Sequence, residues 1–368
     1  MLGQPGGATE ASRLPANTPK GDAPMHYSVR LEPIGIEMDV EEGETVLQAA
    51  FRQGIMLMHG CKEGQCASCK SILLSGDIDL LRYSTFALPE FERDQEYVLL
   101  CRTLAYSDLT VELLNYDEDI LKLAIPVKSY AAQVSRIESL THDIRLLQLQ
   151  WNQPTPFKFW AGQYVDLTID AQRVTRSFSM ANTPGRSELM EFLIKVYPGG
   201  AFSTVLNTSL KVGDNITVTG PYGVCCLREN GDQPIILVGG GSGMAPLWSI
   251  LNTLAENQIN RPITFYYGVR TVHDLFYLDK IATLSAQLPH FQFIPALSEP
   301  SIQDNWDGET GYIHDVVAKT LPRFASDSLA DAYVCGPPPL IDATIPILRM
   351  KGIDVDHIYF DKFFPAAT

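Results

Sequence analysis

The spacing of hydrophobic and polar positions changes along the chain and divides it into three parts. Between residues 25 and 120, short runs with alternating character predict strands at 27–33, 35–40, 71–74, 97–101 and 109–114. One helix is predicted over 45–53, with Thr45 as its N-cap and Gly54 as its stop signal. This part therefore predicts a small α+β domain.

Hydrophobic and polar residues continue to alternate from residue 130 to about 232, and this pattern predicts strands at 144–149, 163–169, 189–196 and 215–219. After residue 232, a fully apolar run at 235–238 leads into glycines and a predicted helix over 247–256. Further strands at 263–268, 291–297 and 332–335 alternate with helical stretches, which is typical of a parallel α/β sheet. The pattern indicates an antiparallel barrel at 130–232 followed by an α/β domain at 233–368.

The segments outside these domains are predicted to be irregular. Residues 1–24 are rich in Gly, Pro, Ala and Thr and are expected to form a flexible tail, and 121–129 are expected to form a linker. No apolar run approaches the roughly 18 residues that span a bilayer. The chain is therefore not expected to enter a membrane.

Four cysteines have the spacing of a plant-type 2Fe-2S site. Cys61, Cys66 and Cys69 form C-x4-C-x2-C, and Cys101 follows after 31 residues. Structural zinc usually uses two C-x2-C pairs or one pair with histidines, and the paired Cys and His motifs of a Rieske centre are missing. The pattern favours a 2Fe-2S cluster over zinc, a disulfide or unrelated core thiols.

Other residues near these cysteines have less specific interpretations. Gly60 and Gly64 are expected to let backbone N–H groups turn toward the sulfurs, whereas His59 is expected to be a packing or surface residue. Three further cysteines, at 225, 226 and 335, do not suggest a secreted disulfide framework. We therefore expect a cytoplasmic protein.

Two glycine-containing motifs predict anion binding. The strand motif Arg176-Ser177-Phe178-Ser179 precedes Gly199 and Gly200, which open a predicted helix that includes Ser203. The N-terminus of a helix exposes N–H groups that suit a pyrophosphate. Downstream, Gly240, Gly241, Gly243 and Pro246 form a loop of the type G-x-G-x-x-P, which a tight strand-to-helix turn would also explain.

Together these motifs resemble the ferredoxin-NADP reductase superfamily, with a β-grasp ferredoxin domain at the N-terminus and a six-stranded flavin-binding barrel. The resemblance implies that Arg176 and Ser177 bind FAD, that Phe178 lines the isoalloxazine, and that Ser179 hydrogen-bonds the flavin N5 edge. It also implies that Cys335 and Gly336 flank the nicotinamide and that Arg270 lies near the ribose. A 2′-phosphate would be disfavoured by Asp274 and by the lack of a second Arg or Lys clustered with Arg270, so the segment favours NADH over NADPH.

The domain order resembles the reductase components of bacterial multicomponent oxygenases, most closely those of soluble di-iron monooxygenases for methane, propane or other alkanes. That resemblance implies electron transfer from NADH to FAD, then to the 2Fe-2S cluster, then to a di-iron hydroxylase. A reductase for a Rieske ring-hydroxylating dioxygenase and a redox-sensing module remain as alternatives. The class of oxygenase that accepts the electrons distinguishes the monooxygenase reductase from the dioxygenase reductase. Sustained turnover distinguishes both reductases from a redox-sensing module.

Charge is distributed unevenly along the chain. The formal net charge is -15, which disfavours nucleic acid and anionic membranes as partners. Residues 25–120 contain seven Lys and Arg against 18 Asp and Glu, a net charge of -11. Because opposite charges steer transient partners together, the oxygenase is predicted to dock on this acidic domain.

Overall fold

We describe a computed structural model of the chain, which covers residues 26–122, 124–229, 231–325 and 329–364. The predicted tail at 1–24 lies outside the described residues. Within them, no helix combines the length and the apolar character that crossing a membrane requires.

The first part of the structure is a five-stranded mixed sheet with one main helix packed beside it. The sheet order is β2-β1-β7-β3-β5, with β1 and β7 parallel and the other pairs antiparallel. Its elements are β1 His26–Glu32, β2 Ile36–Glu41, α1 Val46–Arg52, β3 Lys70–Ser75, β4 Ile78–Leu80, α2 Glu90–Arg93, β5 Tyr97–Leu99, β6 Thr103–Ala105, β7 Leu109–Leu113 and α3 Glu118–Lys122.

Helix α1 follows from local signals that the sequence shows. Thr45 caps the helix and accepts a hydrogen bond from the Gln48 N–H at 3.3 Å, while the Gln48 side chain accepts one from the Thr45 N–H at 2.9 Å. Such a cap is worth about 1 kcal/mol. Gly54, with φ 75°, follows the C-cap Gln53, as expected for a helix stop.

The middle part is a six-stranded antiparallel sheet with the order β11-β10-β13-β8-β9-β12 and a short helix. It consists of β8 Lys128–Ser139, β9 Ile144–Trp151, β10 Tyr164–Ile169, β11 Val174–Ser179, β12 Leu189–Lys195, α4 Ala201–Thr208 and β13 Asn215–Tyr222. Buried residues of alternate strand positions, among them Val165, Leu167 and Phe192, form its core. The predicted flavin-barrel architecture is confirmed in strand number and direction.

The last part is a six-stranded parallel sheet with the order β17-β16-β15-β14-β18-β19. Its elements are β14 Ile235–Gly240, α5 Met244–Glu256, β15 Ile263–Val269, α6 Leu278–Ser285, β16 Phe291–Leu297, β17 Glu309–Thr310, α7 Ile313–Thr320, β18 Asp331–Gly336, α8 Pro338–Met350 and β19 Ile358–Lys362. All six residues of both β14 and β18 are buried, which explains the apolar runs at 235–238 and 332–335.

Two boundaries differ from the sequence-based expectation. The segment expected to be a linker is tied to the first domain, because Val127 N–H donates to Phe51 O at 3.1 Å and α3 ends only at Lys122. Helix α5 begins at Met244 rather than at residue 247, so Pro246 is its third residue. A proline is tolerated there because N–H groups in the first turn have no partner within the helix.

Candidate functional site

The cluster cysteines converge on one volume. Cys61, Cys66 and Cys69 lie between α1 and β3, and Cys101 follows β5. The thiol of Cys61 is within hydrogen-bond reach of the Cys66 thiol, and the same holds for Cys69 and Cys101. The charge of Cys61 also acts on Cys101, so both pairs share one site.

Backbone N–H groups surround these sulfurs. Gln65 and Glu63 donate to Cys61 Sγ at 3.1 and 3.4 Å, and the Cys61 N–H donates to Cys66 Sγ at 3.3 Å. Hydrogen bonding with the Cys61 thiol is the main reason that the pKa of the Cys66 thiol is lowered. Four cysteine ligands held by inward N–H groups suit a 2Fe-2S cluster, whose thiolate charge these donors stabilise.

Glycine is required at Gly64 because the loop turns sharply against its neighbours. Gly64 has φ 70°, and a Cβ there would lie 2.8 Å from Tyr83 Cβ and 2.9 Å from Arg102 Cγ. Ser84 N–H donates to Gly64 O at 3.0 Å, so the segment at 83–86 lies directly on the cluster loop. The glycine thus lets the loop wrap closely around the four sulfurs.

The motif at 176–179 forms the second half of β11 and pairs with β10. In this register Tyr164 lies opposite Ser179 and Asp166 lies opposite Ser177. The hydroxyl of Ser177 donates to Asp166 Oδ1 at 2.6 Å. Ser179 is buried, whereas the Arg176 guanidinium is near the surface and donates to Thr175 O at 2.7 Å.

Helix α4 brings the second predicted anion-binding segment next to this strand. The ring centroids of Phe178 and Phe202 are 4.7 Å apart, which places the first turn of α4 beside β11. Gly200 is the N-cap of α4, and the Ser203 hydroxyl accepts a hydrogen bond from Tyr197 N–H at 3.0 Å. Gly199, with φ 74°, makes the turn before the helix. These residues could hold the pyrophosphate of FAD at the helix N-terminus.

The nucleotide turn lies against the end of a neighbouring strand. A Cβ on Gly243 would lie 2.1 Å from Cys335 O and 3.3 Å from Gly336 Cα, so only glycine fits there. A Cβ on Gly240 would lie 2.9 Å from Leu340 Cδ1, and Tyr267 Oη donates to Gly241 O at 2.9 Å. The structure therefore brings the predicted glycines together with Cys335 and Gly336 at the carboxyl edge of the parallel sheet, where such folds bind nucleotides.

Cys335 is fully buried, and its sulfur lies 3.8 Å from Cys225 Sγ. Burial raises the pKa of the Cys335 thiol, with a further contribution from Cys225. At this point β18 of the last domain touches the segment that follows the barrel.

Arg270 lies at the end of β15 in a network of charges that crosses a domain boundary. Its guanidinium donates to Asp143 Oδ2 at 2.8 Å and to Asp274 Oδ1 at 3.3 Å. Burial raises the pKa of the Asp143 carboxyl, but Lys195, His142 and Thr141 together hold that pKa below its usual value through their charges and hydrogen bonds. Asp143 and Lys195 belong to the barrel, so Arg270 joins the two domains.

Asp274 has a local role that the sequence did not reveal. Its carboxylate accepts hydrogen bonds from the N–H and the hydroxyl of Thr271 at 3.0 and 3.1 Å, closing a short capping box. His142, Asp143 and Asp274 also bring three potential metal-ligand atoms within 4.8 Å. The cations of Lys195 and Arg270 already compensate these carboxylates, so the group does not indicate a metal site.

The cluster loop contacts the barrel directly. Tyr164 Oη donates to Gly60 O at 3.0 Å, and Gly223 N–H donates to His59 Nε2 at 3.1 Å. Lys62 Nζ lies 2.7 Å from Asp166 Oδ2. His59 is thus a buried packing residue, and the cluster loop and the flavin strand are adjacent.

The third domain reaches the same place through β19. Burial is the main cause that raises the pKa of Asp361 to about 7, and the charges of Cys66 and Lys62 act on the same carboxyl. The cluster loop, strand β10 and the part of β19 that pairs with Cys335 therefore lie close together where the three domains meet.

Sequence reasoning missed the residues that hold the domains together. Arg228 donates to Asp117 Oδ2 at 2.9 Å, its N–H donates to Tyr333 Oη at 2.9 Å, and its guanidinium lies 4.5 Å from the Tyr359 ring centroid. Asp143 and Asp166 were also missed. No local motif marks their contacts between domains, because the partners in the other domain lie more than 100 positions away in the sequence.

Comparison with protein-family models assigns each part of the chain. Residues 29–106 match the 2Fe-2S iron-sulfur cluster binding domain, 131–226 match the oxidoreductase FAD-binding domain, and 237–345 match the oxidoreductase NAD-binding domain. The three cofactors predicted from the motifs are thereby confirmed. The matched segments follow one another in the order that the sequence indicates.

Full-length relatives have the same organisation. The chain is 47% identical over 341 residues to the reductase component of propane 2-monooxygenase from Mycolicibacterium goodii, covering 92% of this chain and 97% of that protein. It is 33% identical to the electron transfer component of toluate 1,2-dioxygenase from Pseudomonas putida, covering 90% and 95%. The crystal structure of the Amycolatopsis cytochrome P450 reductase GcoB matches with a TM-score of 0.83 at 29% identity, covering 93% of this chain and 100% of that chain. The chain belongs to the family of oxygenase reductase components, in which one polypeptide passes electrons from NADH through FAD and a 2Fe-2S cluster to an oxygenase.

Proposed function

We propose that this reductase supplies the di-iron hydroxylase of a propane-type alkane monooxygenase. The observation that carries the proposal is the 47% identity to a propane 2-monooxygenase reductase component over nearly the whole of both chains. The identity to the dioxygenase electron transfer component is lower, at 33%. The seven cysteines, none of which forms a disulfide, support a cytoplasmic location.

Each cofactor has a set of residues that we propose as its site. Cys61, Cys66, Cys69 and Cys101 ligate the cluster. FAD is held by Arg176, Ser177, Phe178, Ser179, Gly199, Gly200 and Ser203. NADH is held by Gly240, Gly241, Gly243, Pro246, Arg270 and Gly336, with Cys335 beside the nicotinamide. Bound FAD supplies the conversion of a two-electron hydride donor into single electrons.

The chain itself supplies positioning and electrostatics. The buried Ser179 hydroxyl orients the reactive edge of the flavin, and the N-terminus of α4 stabilises phosphate charge. The Gly243 turn, which leaves no room for a side chain, sets the distance between the nucleotide loop and Cys335. No side chain has to break a bond in the oxidised hydrocarbon, because that chemistry belongs to the hydroxylase.

We place the hydroxylase docking surface on the acidic ferredoxin domain, around the segment that covers the cluster loop. Phe86 has 96% of its surface exposed, and it lies two residues from Ser84, which is hydrogen-bonded to the cluster loop. Exposed Glu90 and Asp94 follow it. An exposed apolar anchor on an acidic domain suits a partner with an apolar pocket and a basic rim.

Reconstitution tests the proposal. The purified reductase should support NADH-dependent propane hydroxylation by a propane monooxygenase hydroxylase, with rates that fall as ionic strength rises. Glu90→Lys and Phe86→Asp should weaken this coupling, whereas Ile302→Asp, which changes an exposed apolar residue of another domain, should not. Support of a Rieske oxygenase but not the di-iron hydroxylase would contradict the proposal, and slow reduction of every acceptor would indicate a sensing module.

A further inference from the structure

The ion pair between Lys62 and Asp166 connects two functional segments that lie 104 positions apart in the sequence. Lys62 directly follows the first cluster ligand, Cys61. Asp166 lies on β10 and accepts a hydrogen bond from Ser177 at 2.6 Å, within the proposed flavin-binding motif. A short chain of contacts therefore runs from the cluster loop to the flavin strand.

The ion pair between Lys62 and Asp166 lies in a partly buried environment. Its ammonium group lies 2.7 Å from Asp166 Oδ2 and 3.4 Å from the ring centroid of Tyr222. Only 18% of the Lys62 side chain and 20% of the Asp166 side chain are exposed. Water and salt screen a partly buried ion pair less than an ion pair on the surface.

The backbone of Lys62 is a second observation. Its φ is 57°, in the left-handed region that favours glycine. A glycine would be the easier choice at this place in the loop. The lysine is therefore explained best by what its side chain does across the domain boundary.

Two further contacts between these segments are made by uncharged groups. Tyr164 Oη donates to the carbonyl of Gly60, and Gly223 N–H donates to the neutral ring of His59. Because His59 Nε2 accepts this hydrogen bond, it carries no proton, and the ring brings no charge to the contact. Lys62 supplies the positive charge that meets the Asp166 carboxylate at this contact.

We propose that Lys62 is a positioning residue for electron transfer from flavin to cluster, and that it holds the cluster loop against the flavin strand through Asp166. The inference rests on the proposed flavin site. When bound, the reduced flavin would supply one electron at a time and the cluster would accept it, so the electrons balance and no bond is made or broken. Lys62 acts by keeping the two sites at a fixed separation.

Stopped-flow absorbance of the holoprotein with NADH tests this role in Lys62→Met. Flavin reduction should proceed at the wild-type rate, whereas cluster reduction should slow about tenfold, the effect expected from losing a partly buried ion pair. Lys70→Met is the matched control, because Lys70 also follows a cluster ligand but pairs with Glu92 inside its own domain. Lys62→Arg should restore most of the rate.

Hydrogen exchange provides a readout that does not depend on turnover. The Gly223 amide, which donates to His59, should exchange faster in Lys62→Met and at the wild-type rate in Lys70→Met. The electron paramagnetic resonance signal and the midpoint potential of the cluster should stay unchanged in both variants. If Lys62→Met fails to assemble the cluster, Asp166→Asn decides, since its amide still accepts the Ser177 hydrogen bond.

The outcomes separate this inference from the proposed function. Wild-type cluster reduction and wild-type Gly223 exchange in Lys62→Met or Asp166→Asn would overturn the positioning role. Equal slowing of flavin and cluster reduction would overturn it too, because the defect would then lie at the flavin. Failure of the wild-type protein to bind FAD or to react with NADH would instead refute the proposed sites themselves.

Discussion

Asp143 and Arg270 form an ion pair of 2.8 Å across the boundary between the flavin barrel and the nucleotide domain. Arg270 also contacts Asp274, so two carboxylates already compensate its charge. An arginine at the end of the second parallel strand could otherwise accept a 2′-phosphate. The ion pair thus gives a physical reason for the use of NADH.

Asp143→Asn should therefore shift the nucleotide preference. With one carboxylate neutralised, Arg270 becomes available to a 2′-phosphate, and the kcat/KM ratio of NADH to NADPH should fall by about tenfold, the value of one charge-assisted hydrogen bond. Steady-state ferricyanide reduction measures the ratio. Glu188→Gln, an exposed change in the same barrel, is the control. An unchanged ratio would show that Arg270 does not lie at the ribose.

Ser179→Ala should slow flavin reduction by NADH about tenfold, the net value of one hydrogen bond. The hydroxyl is buried at the end of β11, where the resemblance places the flavin N5 edge. Stopped-flow bleaching of the flavin measures the rate. Ser209→Ala, on an exposed position after α4, should leave it unchanged. Equal rates in the wild type and in Ser179→Ala would remove Ser179 from the site.

Cys66→Ser should abolish electron transfer to one-electron protein acceptors and leave NADH-dependent ferricyanide reduction in place. The cluster would lose a thiolate ligand, while the flavin and nucleotide residues would stay as they are. Electron paramagnetic resonance of the NADH-reduced protein reports the cluster. Cys226→Ala removes a buried cysteine outside the ligand set and should retain the signal. Protein-acceptor activity at the wild-type level in Cys66→Ser would contradict the assigned ligation.

Arg261→Leu should destabilise the nucleotide domain by about 3–5 kcal/mol, because it leaves a buried carboxylate without its main charged partner. Arg261 and Asp331 pair at 2.5 Å with side chains only 2% and 1% exposed. Urea unfolding followed by fluorescence measures the change. The double variant Arg261→Leu with Asp331→Leu should recover much of the lost free energy of unfolding, because no buried charge is then left unpaired.

The matched control for this stability measurement is Arg186→Leu. Arg186 pairs with Glu256 at the surface, where its side chain is 73% exposed. Such pairs contribute about 0–1 kcal/mol, so the variant should unfold close to the wild type. If Arg261→Leu and Arg186→Leu lowered the free energy of unfolding by similar amounts, burial would not determine the strength of the Arg261 ion pair.

Local signals predicted the secondary structure well where packing agrees with them. The Thr45 cap, the Gly54 stop and the apolar run of β14 all appear where the sequence indicates. The start of α5 was predicted three residues late, because Gly243 and the residues after it look like turn formers in isolation. Gly243 lies close to Cys335 O, a contact that no local sequence pattern predicts. This packing fixes the position at which the helix begins.

The sequence alone determined the three domains and their cofactors, because cluster ligation, phosphate binding and tight turns each demand particular residues at short spacing. It also indicated which glycines matter, since a positive φ or a close backbone approach admits little else. The tertiary structure decided how the domains meet. Lys62 with Asp166, Arg228 with Asp117, and Arg270 with Asp143 are pairs of ordinary charged residues, and only folding brings partners more than 100 positions apart within hydrogen-bond distance.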